Sequence, residues 1–208
     1  MYNRPMTRDD IITIGRGFFD DTIATLSKMP FLAMACDVAD VVTVITACRG
    51  KVITTGLGKA GHAAEKVASS FSSLGVPACY LHPGQASHGD VGVVGSKDIL
   101  MAFSTSGKTR EVIETIELSR QLGVSKVISV TSHPNSPIRE ASDLVIDIGI
   151  VNEAGYLGLA PTTSIVAMLI AADAVVTACA MAMGLTREEF GLRHHGGYLG
   201  RKCRGEEQ

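Results

Sequence analysis

Tryptophan is absent from this 208-residue chain, and aromatic residues of all kinds make up only 5% of it. That scarcity argues against an all-β fold anchored on large rings. A strong charge of either sign is also missing: 19 basic residues face 21 acidic ones, for a net of −2. The balance lacks the basic footprint of a protein that binds a nucleic-acid duplex or an anionic membrane. Cysteines number five, at positions 36, 48, 79, 179 and 203, an odd count with no CxxC pair. The pattern fits reduced thiols in a cytoplasm, mostly filling core positions, rather than a disulfide framework. The opening MYNRPMTRDD has no apolar stretch behind its basic residue, so no secretory leader is expected.

What is present is apolar and small. Hydrophobic residues make up 46% of the chain, glycines number 22, and charged residues are 19%, which excludes a disordered polymer. The length suits one domain at roughly 150 residues per domain. One run, residues 162–184, is long and apolar enough to span a bilayer. Asp173 stands in its middle, where a charge is costly in lipid. The run is therefore expected to be a helix buried inside a protein, with a subunit partner over one face because it is apolar all round.

Apolar spacing predicts a helix over 8–28, broken by Pro30, and a second over 32–48. Five short β-rich runs then follow, at 51–55, 78–81, 99–103, 127–131 and 144–148. Helical stretches at 60–74, at 110–122 and after Pro161 separate several of them. Strands alternating with helices mean an α/β fold, a doubly wound and mainly parallel sheet with N-terminal helices. We expect residues 1–50 to form a helical segment packed on a sheet domain of 51–202. The polar tail, RKCRGEEQ, is expected to fray.

Ligands of open parallel sheets bind at the carboxyl ends of strands, near the switch in strand order. The loop after the first strand reads Gly56-Leu57-Gly58-Lys59-Ala60-Gly61-His62, and that after the third reads Ser104-Thr105-Ser106-Gly107-Lys108-Thr109. Each enters a helix, whose first amides and dipole make an anion site. Ser104, Ser106 and Thr109 add hydroxyls, and Lys59 and Lys108 add charge. The expectation is one phosphate held by the Ser/Thr loop; the plain alternative is turn glycines with an N-cap. Residues 102–109, AFSTSGKT, also fit a permissive P-loop, with a Walker-B-like run ending at Asp147. Against an NTPase, the first loop glycine is missing and the loop interior is not glycine-rich.

The remaining candidates are acids, bases and imidazoles. Glu111 falls in the first turn after the serine loop, where it either complements the helix dipole or acts beside the bound phosphate. Glu153 lies in a Gly-rich loop after the fifth strand and can reach the same crevice. His194 and His195 stand beside glycines that let the backbone bring an imidazole into a cleft. His82 and His88 follow the second strand. No HxH, HxxxH or HExxH spacing supports a metal among them. A phosphate site with Lys, two Glu and a His suits proton transfer on a phosphorylated sugar. The phosphate anchors, a carboxylate moves the proton, and Lys or His steadies the enediolate.

In order, GLGKAGH, HPGQASHGDVG, STSGKTRE, EAGYLGLAPTTS and RHHGGYLGRK resemble the sugar isomerase (SIS) domain of the arabinose-5-phosphate isomerases. The likeness runs from about Lys51 to Lys202. It implies interconversion of D-ribulose 5-phosphate and D-arabinose 5-phosphate, an early step toward the lipopolysaccharide sugar Kdo. It also implies a flavodoxin-like five-stranded sheet, a cytoplasmic homotetramer and no required cofactor. Carried over by position, the catalytic residues would be Lys59, Glu111, Glu153 and His194. The phosphate loop would be Ser104, Ser106, Gly107 and Thr109, with His194 reaching a neighbouring subunit's loop. Gly58, His82, His88, Lys108 and His195 are further substrate-site candidates.

The chain departs from the family pattern at Lys108, where a Glu is common, at Gln85, and at His195 in place of a Pro. It ends soon after Gly200-Arg201-Lys202, where many members continue into two CBS domains. Two other readings stand beside the pentose isomerase: an isomerase for a different sugar phosphate, and a non-catalytic sugar-phosphate-binding regulatory module.

Overall fold

The computed structural model describes residues 5–206. Among them, one sheet contains β1 (Val52–Gly56), β2 (Ala78–Leu81), β3 (Ile99–Phe103), β4 (Lys126–Thr131) and β5 (Leu144–Asp147). Every pairing is parallel, in the order β2-β1-β3-β4-β5. The doubly wound parallel sheet is as expected, with each strand within a residue of its apolar run. The helices are α1 (Arg8–Leu26), α2 (Phe31–Thr46), α3 (Gly58–Ser73), α4 (Pro83–Ala86), α5 (Arg110–Gln121), α6 (Pro137–Glu140), α7 (Thr163–Ala182), α8 (Arg187–Arg193) and α9 (Tyr198–Cys203). A single 3₁₀ turn covers Asp90–Val93.

All residues of β1 and β3 are buried. Strands covered on both faces read as unbroken apolar runs, which is why Ile99–Phe103 shows no polar alternation. Their side chains still divide by face. Met101 and Phe103 join Val52, Ile128 and Ile146 in the larger core; Leu100 and Ala102 join Ile53 and Val127 in the smaller. Val41 and Ile45 of α2, Val67 and Phe71 of α3, and Met168 and Val175 of α7 close the larger core. Val112 and Ile116 of α5, with Ile138 of α6, close the smaller. Helix α2 thus belongs to the main core although it precedes the sheet.

Helix α7 is long and apolar enough to cross a membrane, but ten of its residues pack inside this fold. Asp173 has a partner there: both its oxygens meet Lys66 Nζ of α3, at 2.5 and 2.6 Å. The other side of α7 is open, with Val166, Ile170 and Met181 exposed. Helix α1 has no buried residue at all. It is well begun, with Thr7 and Asp10 forming a reciprocal capping box. Yet Phe19 is 64% exposed and Ile23 65%. The exposed side of α7 is the face over which a subunit partner was expected.

Three expectations need correction. Helix α1 stops at Leu26, before the proline, and Pro30 instead serves as the N-cap of α2, where its missing N–H is no loss. The polar tail is not wholly frayed: Arg201, Lys202 and Cys203 belong to α9, whose Gly200 packs against the His194 carbonyl; residues 207 and 208 lie outside the described residues. Of the cysteines only Cys179 is buried, where burial pushes its thiol up to about 11; Cys36 is exposed. Cys48 and Cys79 pack half-buried against the two cores, so three of the five fill core positions and the expectation fails at Cys36.

Candidate active site

Strands β1 and β3 are neighbours, and β2 lies on the far side of β1, so the strand order reverses between them. The strands pair about 5 Å apart, and the loops leaving their carboxyl ends part to α3 on one face and α5 on the other, which opens the switch-point crevice. The first loop must pass tightly into α3. Gly58 has a φ of +60°, a conformation that favours glycine. At Gly61 a Cβ would lie 2.6 Å from the Gly56 carbonyl oxygen, so only glycine lets α3 approach β1 this closely. Tyr80 completes the packing by donating its hydroxyl to that same carbonyl at 2.7 Å. Burial, with Glu65 adding to it, raises the Tyr80 pKa, so the donor stays protonated. Lys59 is exposed in the first turn of α3.

The serine loop is a knot of hydroxyls at the start of α5. Ser104 is buried, and its Oγ lies 2.9 Å from Thr109 Oγ1 and accepts from the Gly107 amide at 3.1 Å. Ser106 Oγ accepts from the Lys108 amide at 3.2 Å. Thr109 is the N-cap of α5, but its side chain turns to Ser104 and does not cap the helix. The first amides of α5 are thereby left for an anion. Gly107 has φ +64°, and a Cβ there would press on Ser136 and Ile138. Glu111 and Lys108 are exposed at the mouth of this loop. The Walker-B-like Asp147 is already committed, to Arg139 at 2.7 Å and to the Gly149 amide at 2.8 Å.

His82 and His88 lie on the other flank, after β2. His82 caps α4, its Nδ1 accepting from the Gly84 amide at 3.1 Å, so the neutral ring carries its proton on Nε2. His88 is exposed in the turn that follows. Glu153 comes from the loop after β5. Its Oε2 accepts from the Thr162 amide at 2.8 Å, the Thr162 hydroxyl at 3.2 Å and the Ser164 amide at 3.1 Å. Burial works against the charge, but the bonds from Ser164 and Thr162 hold its carboxyl below the usual range. Glu153 thus sits ionised at the N-terminus of α7, where the helix dipole also favours an anion. Sequence reasoning placed it at the crevice and missed this anchoring.

The histidines of the last segment stand elsewhere. His194 Nε2 lies 2.8 Å from Ser73 Oγ, its Nδ1 lies 2.8 Å from the Phe190 carbonyl, and its ring stacks on Phe190 at 4.0 Å. Ser73 ends α3, whereas Lys59 begins it; the helix between them runs roughly 21 Å. Within one chain, then, His194 and the neighbouring, exposed His195 sit at the opposite end of the sheet from Lys59, the serine loop and Glu153. Sequence reasoning missed one residue that does stand at the site: His133, after β4, whose Nδ1 lies 3.2 Å from the Thr105 carbonyl. The signal available was its position two residues beyond the buried end of β4. No group of three or more His, Cys, Asp or Glu among the described residues is arranged to hold a metal ion.

A parallel sheet ordered 2-1-3-4-5, with a glycine turn and a serine loop opposed at its switch point, defines the SIS class of domain. The SIS domain profile matches residues 45–178, and the chain belongs to that family. Among curated proteins it is 44% identical over 155 residues to the arabinose 5-phosphate isomerase KdsD of Yersinia pestis, covering 74% of this chain and 47% of that one. To KdsD of Pseudomonas aeruginosa it is 39% identical over 158 residues, covering 76% and 48%. The chain thus spans about half the length of the curated relatives it matches. Among solved structures it resembles E. coli CFT073 c3406 in complex with A5P, with TM-score 0.83 and 33% identity over 91% of this chain and 100% of that one. A Bacteroides fragilis chain described as a phosphosugar isomerase involved in capsule formation gives TM-score 0.82 and 36% identity, over 90% and 99%.

Proposed function

We propose that the protein is an aldose–ketose isomerase of phosphorylated sugars, acting in the cytoplasm without a cofactor on D-ribulose 5-phosphate and D-arabinose 5-phosphate. The observation that carries the reading is the opposition of Lys59 and the Ser104–Thr109 loop at the switch point, each on a helix N-terminus. The KdsD relatives and the A5P complex of c3406, with A5P read as arabinose 5-phosphate, support the choice of pentose.

In this reading the phosphate dianion rests on the first amides of α5, the Ser104, Ser106 and Thr109 hydroxyls and the Gly107 turn. Anchoring the far end of the substrate fixes C1 and C2 relative to the protein. A carboxylate, Glu111 or Glu153, removes the proton from C1 of the ketose and returns it to C2, giving the aldose. The step is redox-neutral: the C1–H bond breaks, an enediolate forms, a proton passes from O1 to O2, and a C–H bond forms at C2. Lys59 offsets the charge on the enediolate oxygen. His82 and His88 border the sugar, and an imidazole opens the ring.

His194 enters from a second copy of the chain. The roughly 21 Å of α3 between its Ser73 anchor and Lys59 rules out service within one subunit, and the uncovered faces of α1 and α7 supply the surfaces for assembly into the homotetramer. A non-catalytic sugar-phosphate sensor is the second reading, favoured by the internal bonds that occupy Glu153 and His194. Proton NMR with D-arabinose 5-phosphate in deuterated water separates the two. The isomerase yields ribulose 5-phosphate, and the reverse reaction places deuterium at C2 of the aldose. A sensor gives no conversion while the sugar phosphate still raises the melting temperature.

A further inference from the structure

The segment after β4 holds the serine loop from behind, through the backbone. The Thr105 carbonyl oxygen accepts from the Ser132 amide at 3.1 Å, from the Thr131 hydroxyl at 3.4 Å and from His133 Nδ1 at 3.2 Å. A carbonyl oxygen can only accept, so Nδ1 of His133 carries the proton. Two residues further on, the Gly107 carbonyl accepts from the Ile138 amide at 3.1 Å. His133 is itself braced. Its own carbonyl accepts from Arg139 Nε at 2.6 Å and from Ser136 Oγ at 3.2 Å, and Arg139 is paired with Asp147 of β5 at 2.7 Å. The imidazole is exposed, so it adds nothing to the core.

The peptide between Thr105 and Ser106 is trans and planar, so its C=O and N–H point in opposite directions. Fixing the Thr105 carbonyl toward the end of β4 therefore turns the Ser106 N–H the other way, into the crevice over β3. Among the described residues, no acceptor in the chain takes that N–H. We propose that His133 is a positioning residue of the phosphate loop: with Ser132 and Thr131 it holds the Thr105–Ser106 peptide so that the Ser106 amide meets the substrate's phosphate. The proposal rests on the phosphate-loop reading of Ser104–Thr109 and names an element that serves it. The residue touches no substrate, and its part lies in affinity rather than in proton transfer.

The test compares His133→Ala with His133→Asn, whose side-chain amide keeps a donor close to the place of Nδ1. Two readouts are taken on the intact chain: the midpoint of the melting-temperature rise in a titration with inorganic phosphate, and KM and kcat with D-arabinose 5-phosphate. Loss of one loop-orienting hydrogen bond should raise the phosphate midpoint and KM about three- to tenfold in His133→Ala, with kcat within twofold. His133→Asn should stay close to the parent in both. Without ligand, both variants should melt with the parent, since the side chain is exposed. Unchanged affinity in His133→Ala overturns the proposal, as does equal weakening in both variants, or a loss confined to kcat. Absence of any phosphate effect on the parent protein overturns the serine-loop reading itself. Phosphate stabilisation without turnover overturns the isomerase and leaves the comparison of the two variants intact.

Discussion

Replacing Glu153 by Gln probes two tasks of one carboxylate with two separate readouts. The side chain keeps its shape, so Oε1 of the Gln still meets the Thr162 and Ser164 amides at the start of α7. What it loses is charge. Hydrogen bonds to charged groups contribute about 1.5–3 kcal/mol against about 0.5–1.5 kcal/mol for neutral ones, and the anion at a helix N-terminus adds about 0.3–1 kcal/mol. The expected cost is about 1–3 kcal/mol, which lowers the melting temperature of a chain of this size by about 2–12 °C. The pH dependence has a definite sign. The folded carboxyl titrates below its ordinary value, so its contribution is present at neutral pH and disappears as pH falls below about 4, through the lowered folded value. Glu153→Gln should therefore approach the parent in stability at acid pH and trail it near pH 7. If the same carboxylate carries the proton, turnover should fall at least about 100-fold. Melting curves from pH 3 to pH 8 beside a coupled isomerase assay read both. Equal stability at pH 7 would refute the ionised anchor on α7; normal turnover would remove Glu153 from the chemistry.

Glu111 is exposed, so Glu111→Gln should melt with the parent in calorimetry while losing about 100-fold or more in turnover. At Gly107 the φ of +64° and the crowding by Ser136 and Ile138 make Gly107→Ala costly, by about 2–4 kcal/mol in denaturant titration, with phosphate protection lost as well. Asp98 is buried at the amino end of the sheet, and burial opposes its charge. It accepts from the Lys51 ammonium at 2.6 Å, the Lys51 amide at 2.9 Å and the Gly95 amide at 2.8 Å, which hold its carboxyl below the usual range. Asp98→Asn should lose about 2 kcal/mol at pH 7 and flatten the acid limb of the stability curve. Lys59→Met and His194→Asn should each be inactive alone, and mixing the two after dissociation should restore turnover, measured by the same coupled assay. Continued inactivity of the mixture would mean that His194 does not serve a neighbour's site.

The strands were legible because each lies in a sheet covered on both faces. Burial on two sides favours apolar or small β-branched side chains throughout, so Ile99–Phe103 is an unbroken apolar run and the polar residues buried in β1 and β4 are only Thr54, Thr55, Ser129 and Thr131. The crevice was legible for a related reason. Gly58 and Gly107 need positive φ, and Gly61 needs the missing Cβ, so the turns that line the crevice are written in glycine. The short helices α4, α6, α8 and α9 were not legible, since four to seven residues carry too few turns to show a period, and their caps decide them. The Thr186–Glu189 capping box of α8 was a local signal that the sequence carried and the reading passed over.

The site residues divide along the same line between local and distant causes. Lys59, Ser104, Ser106 and Thr109 are placed by the loop that contains them, and a linear reading finds such residues. Glu153 and His133 are placed by partners 9 to 28 positions away, Thr162 and Ser164 for one and Thr105 for the other, so type and position alone did not disclose their bonds. His194 is a further step removed. Its anchor, Ser73, is 121 positions away and at the wrong end of α3 for the crevice of its own chain. The bonds to Ser73 and to the Phe190 carbonyl hold His194 away from the crevice of its own chain. On the proposed reading, a fold with Lys59 at one end of a helix and His194 at the other would complete its site only by assembling, and the Lys59→Met and His194→Asn mixture is the measurement that decides it.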